Sequence, residues 1–389
     1  MRIAIVEGGA SGMVTAYLLD KQGHHVTVFE RQPTLGGHIR TLNKNVQPNQ
    51  ADCQEILENG VLEFPTVFHN FIALMEELGV ELEPVNMGSA MFFKNGSHFL
   101  SRVNLQDFYN QPLSQYLKQP CIHNTWLKLL IMYRYSMPLE LIDDFPAELA
   151  MPVLRNDVAV HWLRVKGGVY SYIEKILARF QGEVLLNADI DRIFRTSDAV
   201  KIVRSTGEIQ EFDKVVFATP PDQVMALLAD PTDTEIKRFS AWKANYATTL
   251  LHTDSSIYNR YGIKQPSEFD FFQAKSRWGY NSCLNQICNI SSPPNYFLSF
   301  QLEELIASDR IIHIQKHHTP LYTTESFQYR DEVVATNGEN NTYHAGAYLG
   351  DGLHEGAITS AFRVAQLVGL SQGSIDITNP KSIPQFVQH

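Results

Sequence analysis

The alternation of apolar and polar positions in the first thirty residues predicts a strand, a helix and a second strand. Arg2 to Val6 is a short β-rich run, and Met13 to Lys21 has apolar residues at helical spacing. Residues 7–12 between them are rich in glycine. Gly23 breaks the helix, and His25 to Glu30 is a second β-rich run that ends in an acid. This order is typical of a β-α-β unit.

The pattern changes farther along the chain. Residues 91–162 are rich in aromatic side chains and are interrupted by prolines, which predicts short helices. Residues 184–217 and 240–320 contain successive β-rich runs, which predict a β-meander and then an antiparallel sheet. Residues 342–365 predict a strand, a glycine-rich loop and a long helix of small residues.

Composition excludes several classes of protein. The 389 residues include 32 Lys and Arg against 42 Asp and Glu, a net charge of −10. That balance argues against a nucleic-acid partner, which would need a basic face. No stretch reaches the ~20 apolar residues of a membrane-spanning helix. The four cysteines form no C-x-x-C pair and are too scattered for a disulfide framework, so we expect a reduced, cytoplasmic compartment.

The glycine-rich turn of the β-α-β unit has the chemistry of a dinucleotide site. Gly8, Gly9 and Gly12 allow the backbone to approach a pyrophosphate, and Ser11 lies with them at the start of the helix, whose free N–H groups attract anions. Glu30, at the end of the second strand, can accept hydrogen bonds from ribose hydroxyls. The glycine motif is weak evidence alone, but the ordered strand, helix, strand and acid strengthen it.

Glu7 departs from this motif, because it occupies the position of the first glycine. Its side chain would crowd the turn, and its negative charge would weaken pyrophosphate binding. Alternatively, Glu7 points away while Gly8 and Gly9 supply the close approach. The sequence leaves both interpretations open.

A second glycine motif, Leu35-Gly36-Gly37, follows the acid-ended strand. Adjacent glycines permit close contact with a ligand, and His38 and Arg40 are donors suited to phosphate oxygens. The order of these motifs resembles the flavoprotein superfamily of amine oxidases and phytoene-desaturase-like enzymes, which bind FAD. The resemblance implies that Arg31, Gly36, Gly37 and His38 contact FAD. It also marks a departure, because an arginine usually stands where this chain has His38.

The C-terminal glycine-rich loop is similar to the closing motif of the same superfamily. Gly346 begins it, and Ala347 stands where the superfamily has a glutamate. The start of the following helix, from Leu353 to Gly356, would place N–H donors beside the N1–C2=O edge of a flavin. The form G-A-Y-L-G-x-G-x-H-E most resembles bacterial predicted NAD/FAD-binding proteins similar to the N-terminal part of plant cyclopropane fatty acid synthases.

The resemblance covers nearly the whole chain and implies its architecture. Backbone atoms near Ile190 would meet the adenine, and Ala218 would line the site. The expected fold is α/β, a Rossmann-like FAD-binding domain of the GR2 flavoprotein type with an inserted α+β substrate domain. The expected boundaries are 1–90, 166–238 and 331–373 for the three parts of the FAD-binding domain, 91–165 for a helical insertion, 239–330 for the substrate-domain sheet and 374–389 for a tail.

Other chemistries have little support in the sequence. His313 and His317 stand four residues apart, but the glutamate of a catalytic zinc helix is missing between them, so we expect no metal site. No G-x-S-x-G nucleophile motif occurs. The reactive atom is therefore assigned to a cofactor. Our hypothesis is an FAD-dependent oxidoreductase that moves hydride from a substrate C–H to flavin N5.

Substrate and catalytic residues stay open at this stage. The lipid-linked subgroup favours a hydrophobic small molecule, an unsaturated fatty acyl chain above all. The alternatives are an amine or amino-acid oxidase, and a non-catalytic or weakly FAD-binding protein because Glu7 departs from the motif. Tyr348 is a candidate for an aromatic pair facing the flavin. His354 and Glu355 either transfer protons or only cap the helix. A homodimer is allowed.

Overall fold

The computed structural model describes residues 1–49, 53–100, 120–275, 277–291 and 293–371. Residues 101–119 of the expected helical insertion and the expected tail 374–389 lie outside the described residues.

Within these described ranges, the strands fall into four sheets. In chain order they are β1 (Arg2–Val6), β2 (His25–Phe29), β3 (Phe64–Pro65), β4 (Leu82–Val85), β5 (Ser89–Phe92), β6 (His98–Leu100), β7 (Trp162–Val165), β8 (Glu183–Leu185), β9 (Ile190–Arg195), β10 (Val200–Arg204), β11 (Ile209–Phe212), β12 (Lys214–Phe217), β13 (Lys243–His252), β14 (Phe269–Gln273), β15 (Trp278–Cys283), β16 (Phe297–Phe300), β17 (Ile311–Leu321) and β18 (Thr342–His344).

Helices connect and cover these sheets. They are α1 (Ala10–Lys21), α2 (His69–Leu78), α3 (Pro120–Tyr135), α4 (Ala147–Ala159), α5 (Tyr170–Leu177), α6 (Val224–Leu227), α7 (Asp233–Ser240), α8 (Leu284–Ile287), α9 (Thr324–Phe327), α10 (Arg330–Ala335) and α11 (His354–Ser371). Short 3₁₀ turns lie at Leu139–Asp144, Pro221–Gln223, Ser256–Tyr261, Glu303–Leu305, Ser308–Arg310, Glu339–Asn341 and Ala347–Leu349.

The first sheet is parallel, with strand order β18-β12-β1-β2-β8. Residues 3–6 of β1 are all buried, as expected for a central parallel strand covered on both faces. Helix α1 returns the chain from β1 to β2 and packs against α11. The predicted β-α-β unit is therefore confirmed, and the two ends of the chain contribute to one layered unit.

The largest sheet has seven strands in the order β17-β13-β16-β15-β14-β5-β6. Its pairs are antiparallel except β14 with β5. Residues 240–320 supply β13 to β17, as predicted. The stretch expected to be helical instead begins in β5 and β6, because Met91 and Phe92 are buried in the sheet beside β14. Among the described residues of that stretch, a helix begins at Pro120. The expected domain boundaries stay predictions.

One hydrophobic core joins the parallel sheet to the large sheet. It includes Val6 and Phe29 from the first sheet, Phe271 and Tyr280 from the second, and Met132 from α3. Continuous burial across both sheets fixes their separation, because interiors are close-packed. The carboxyl ends of β1 and β2 therefore open toward the large sheet.

Phe271→Ala should test this shared core. Phe271 is fully buried and its ring lies 5.6 Å from that of Trp126. We expect its removal to lower the free energy of unfolding by about 3–5 kcal/mol, measured by urea titration with fluorescence detection. Phe194→Ala is the matched control, since Phe194 is 46% exposed on β9 and should change stability by about 0.5 kcal/mol or less. Equal losses for both variants would contradict the assignment.

Candidate active site

The turn between β1 and α1 is forced by its glycines. A Cβ on Gly12 would lie 2.0 Å from the carbonyl oxygen of Glu7, and one on Gly8 would lie 2.2 Å from Cδ2 of Leu35. Gly9 is the N-cap of α1, and no side-chain hydrogen bond caps this end of the helix. Ser11 lies buried in its first turn. The turn thus presents an uncapped helix N-terminus, which suits an anion.

Glu30, at the end of β2, stabilises this turn through hydrogen bonds to its side chain. It is 1% exposed, its Oε2 accepts from the Gly8 N–H at 2.9 Å, and its Oε1 accepts from the Gln32 N–H at 2.8 Å. Each carboxylate oxygen has more than one lone pair, so hydrogen bonds to a ribose remain chemically feasible. The ribose role of Glu30 stays a prediction, while its structural role is visible in these contacts.

Glu7 adopts a left-handed backbone conformation with φ of 79°. This conformation suits glycine and costs other residues roughly 1–2 kcal/mol. Its Oε1 lies 3.1 Å from Nε of Arg31. The turn therefore forms around Glu7 without rearrangement of α1, and its side chain is directed to an arginine. Desolvation, followed by the nearby charge of Glu30, raises the pKa of Glu7 to about 7.

The second glycine motif packs directly on the first. Gly36 donates its N–H to the carbonyl of Gly8 at 2.9 Å, and both Gly36 and Gly37 have positive φ. A Cβ on Gly37 would lie 3.0 Å from Cα of Gly9. The two motifs, separated by a helix and a strand in sequence, therefore form one continuous backbone surface.

His38 and Arg40 follow this surface in the chain. His38 donates from Nε2 to the carbonyl of His318, on β17 of the large sheet, at 2.7 Å. Its side chain is exposed, yet desolvation lowers its pKa. Desolvation also lowers the pKa of the half-buried Arg40. Through its hydrogen bond to His318, His38 connects the second glycine motif to the large sheet.

Ile190 and Ala218 lie close to the same turn. The Ala218 N–H donates to the carbonyl of Val6 at 3.0 Å, so Ala218 directly follows β12 at the end of β1. The Ala188 N–H donates to the carbonyl of Glu30 at 2.9 Å, which brings the approach to Ile190 past the end of β2. Their expected place near an adenine is therefore compatible with the geometry.

The C-terminal loop is held beside the parallel sheet. The Gly346 N–H donates to Oγ of Ser360 at 2.8 Å. Oδ1 of Asp351 accepts from the N–H groups of Leu353 and Gly356, each at 2.8 Å. Asp351 thus uses two of the donors expected to face a flavin, leaving those of His354 and Glu355 in the same turn. Sequence reasoning missed this cap, although an aspartate just before a helix is its usual signal.

His354 and Glu355 connect α11 to its neighbours. Nε2 of His354 lies 3.0 Å from the hydroxyl of Tyr172, and desolvation lowers its pKa to about 3, so the ring is neutral. The carboxylate of Glu355 accepts from the N–H groups of Asn70 and Phe71, at 2.8 and 2.9 Å. Glu355 therefore caps a helix, as one of the two interpretations of the sequence allowed, but the helix that it caps is α2. A catalytic role for either residue stays a prediction.

Tyr348 is a predicted catalytic residue whose buried hydroxyl forms no hydrogen bond within the described part of the chain. It is 2% exposed, and its hydroxyl has no hydrogen-bond partner among the described residues. Its ring lies 5.3 Å from that of Trp242, whose Nε1 also lacks a partner in the described part of the chain. Two unsatisfied buried donors side by side are unusual, and such groups often mark a ligand site. Trp242 was not identified from the sequence.

Comparisons with known proteins bear on this architecture. The family model of NAD(P)-binding Rossmann-like domains matches residues 5–78. The 4,4'-diapophytoene desaturases (4,4'-diaponeurosporene-forming) of Staphylococcus aureus strains Newman and USA300 are 22% identical over 298 residues, 59% of this chain. The match spans 57% of the length of those relatives.

Solved structures extend the likeness over most of the chain. A putrescine oxidase variant superposes with a TM-score of 0.67 at 14% identity, covering 95% of this chain and 99% of its own. The CLA-producing fatty acid isomerase from P. acnes gives a TM-score of 0.66 at 14% identity, covering 95% and 98%. The chain has an α/β Rossmann-like fold with an additional mixed-sheet domain, like that of the putrescine oxidase structures. The predicted fold class is confirmed, and the subgroup stays a prediction.

The described residues contain no metal-ligand cluster of three or more His, Cys, Asp or Glu side chains. His313 and His317 lie on strand β17 and not on a helix. Within the same described ranges, no helix is long and apolar enough to cross a membrane.

Asp351 generates a prediction about stability. Asp351→Ala removes the acceptor for two helix N–H groups and should lower the free energy of unfolding by about 1–2 kcal/mol. Asp351→Asn keeps an acceptor oxygen and should be nearly neutral at acidic pH, where Asp351 is protonated.

The pH dependence follows from desolvation, which raises the pKa of Asp351 from 3.8 to about 6. A raised pKa means that the folded protein disfavours the ionised acid. The free energy of unfolding therefore falls as pH rises from 3.8 to about 6. Urea titrations over this pH range should show wild type losing stability relative to Asp351→Asn. A constant difference would contradict the assignment.

Proposed function

We propose that this protein is an FAD-dependent oxidoreductase that moves hydride from a substrate C–H to flavin N5. The observation that carries the proposal is the joining of two glycine motifs into one backbone surface at the ends of β1 and β2. The C-terminal loop reaches the same parallel sheet through β18. Bound FAD would supply the hydride acceptor, for which the described residues offer no substitute.

The residues present fit this cofactor. Gly8, Gly9, Ser11 and Gly12 offer backbone donors and space at an uncapped helix N-terminus, which suits a diphosphate. Glu30 has acceptor capacity for a ribose. The other residues of the proposed site fall into three groups. On the diphosphate side are Arg31, Gly36, Gly37 and His38, and on the adenine side are Ile190 and Ala218. On the side of the flavin ring are Gly346, Ala347, Leu353 and His354.

The protein's part in the chemistry is to position the substrate and to exclude water. Around Tyr348 the packing is aromatic: Trp242, Tyr322, Tyr135 and Phe145 form a chain of ring contacts. Aromatic surroundings favour an apolar substrate, and we propose an unsaturated fatty acyl chain or a related molecule. The likeness to a fatty acid isomerase supports this class. The Tyr348 hydroxyl would donate a hydrogen bond to the bound molecule.

Two other functions have specific support. The pairing of Tyr348 with Trp242 also suits the aromatic pair expected of an amine or amino-acid oxidase. The position of Glu7 supports a non-catalytic or weakly FAD-binding protein. Cytoplasmic localisation and homodimer formation stay predictions based on the sequence.

An absorbance spectrum of the purified protein tests the cofactor. We expect flavin bands in the native protein, or their appearance when apoprotein is titrated with FAD. Under anaerobic conditions an unsaturated fatty acid should bleach these bands. Bleaching by amines alone, with hydrogen peroxide released in air, would replace the acyl substrate with an amine. A colourless protein that takes up no FAD would contradict an oxidoreductase.

Tyr348→Phe separates stability from activity. Removing an unsatisfied buried hydroxyl should leave the free energy of unfolding unchanged or raise it by up to about 1 kcal/mol. Flavin reduction by substrate should slow at least about tenfold, since a positioned donor is lost. Tyr258→Phe is the control: the Tyr258 hydroxyl donates to Asp270 of β14 at 2.9 Å, so stability should fall. Unchanged flavin reduction in Tyr348→Phe would exclude the proposed role.

A further inference from the structure

Glu7 stands at the tightest point of the proposed diphosphate site. Its carbonyl oxygen faces the start of α1 so closely that Gly12 can carry no Cβ. Its side chain is 18% exposed and is the only acid within the glycine-rich turn of residues 7–12. A bound diphosphate would therefore share this turn with a carboxyl group.

Four charged or titratable groups surround Glu7. Glu30 approaches from β2, Arg31 and Arg40 from the chain that follows it, and His318 from β17. Arg31 contacts Glu7 through Nε, and its guanidinium also donates to Gln223 at 3.0 Å when that amide is oriented to satisfy it.

His318 is itself held, because its Nε2 lies 2.9 Å from Oδ2 of Asp222. With Glu7 and Glu30 ionised, the two carboxylates balance the two arginines. The environment then offers no net positive charge to a diphosphate.

We propose, on the basis of the FAD site argued above, that Glu7 takes up a proton when the FAD diphosphate binds. Protonation removes one of the two negative charges beside the site and leaves the arginines in excess. It also weakens the hold of Glu7 on Arg31, which becomes available to phosphate oxygens. The chain thereby links its affinity for FAD to pH.

The electrostatics of the free protein place this switch near neutrality. Desolvation and Glu30 raise the pKa of Glu7 to about 7 against the opposing effect of Arg31, His318 and Arg40. The two negative charges of a bound diphosphate would raise the pKa of Glu7 further. At pH values between the pKa of Glu7 in the free protein and its pKa in the FAD complex, binding takes up one proton. Over that interval the affinity for FAD falls by up to about tenfold per pH unit. Below about pH 7 affinity should be flat, because Glu7 is already protonated.

Quenching of flavin fluorescence measures this linkage on apoprotein, without any need for activity. The dissociation constant for FAD should rise by up to about tenfold per unit above neutral pH in wild type. Glu7→Gln keeps the shape without the charge and should bind FAD with little pH dependence, more tightly than wild type at alkaline pH. Glu7→Gly should behave in the same way. Glu77→Gln, at an ion pair with Lys21 on another surface, should keep the wild-type slope.

Calorimetry in two buffers of different ionisation enthalpy provides a test that needs no variant. Wild type should take up about half a proton per FAD at pH 7 and close to one proton about one unit higher. A wild-type slope equal to that of Glu7→Gln, or no proton uptake, would overturn the inference while leaving FAD binding intact. If neither wild type nor any variant binds FAD at any pH, the proposed function fails as well.

Discussion

The contact between two glycine-bearing segments is the constraint on which this architecture depends. A Cβ on Gly37 would lie 3.0 Å from Cα of Gly9, and Glu30 anchors the same turn through the Gly8 N–H. A larger residue at position 37 would crowd this contact, and the φ of 57° disfavours one there as well. The position of His38 would then change, because that residue lies between this contact and its hydrogen bond to the large sheet.

Elements fixed by local sequence could be predicted, and elements fixed by distant pairing could not. The β-α-β unit and both glycine motifs were predictable, since strand, turn and helix signals lie within a few residues of one another. Strand β6 and the end of β5 fall in a segment that was expected to form short helices, because it is rich in aromatic residues and interrupted by prolines. Their state is decided by β14, far along the chain. Tertiary context overrides propensity in such segments.

The same distinction applies to the site. The glycines and Glu30 carry their signal in their residue types. Trp242, which follows α7, becomes a candidate site residue only because the fold places it beside Tyr348. No spacing in the sequence connects these two residues. For Glu355 the chemistry of the residue was visible, but its partner, the first turn of α2, was not. Residue type thus indicated which groups are polar, while the fold determined what they bond.

The bond from Glu355 to the start of α2 has a consequence for assembly of the molecule. Helix α2 receives its capping carboxylate from a residue 285 positions later in the chain. Strand β18, at the edge of the parallel sheet, is likewise synthesised long after β1 and β2. The amino-terminal segments must therefore remain incomplete until residue 355 has been synthesised. Contacts of such long sequence separation slow folding. Until they form, the nascent chain would lack the cap of α2 and the edge strand of its parallel sheet.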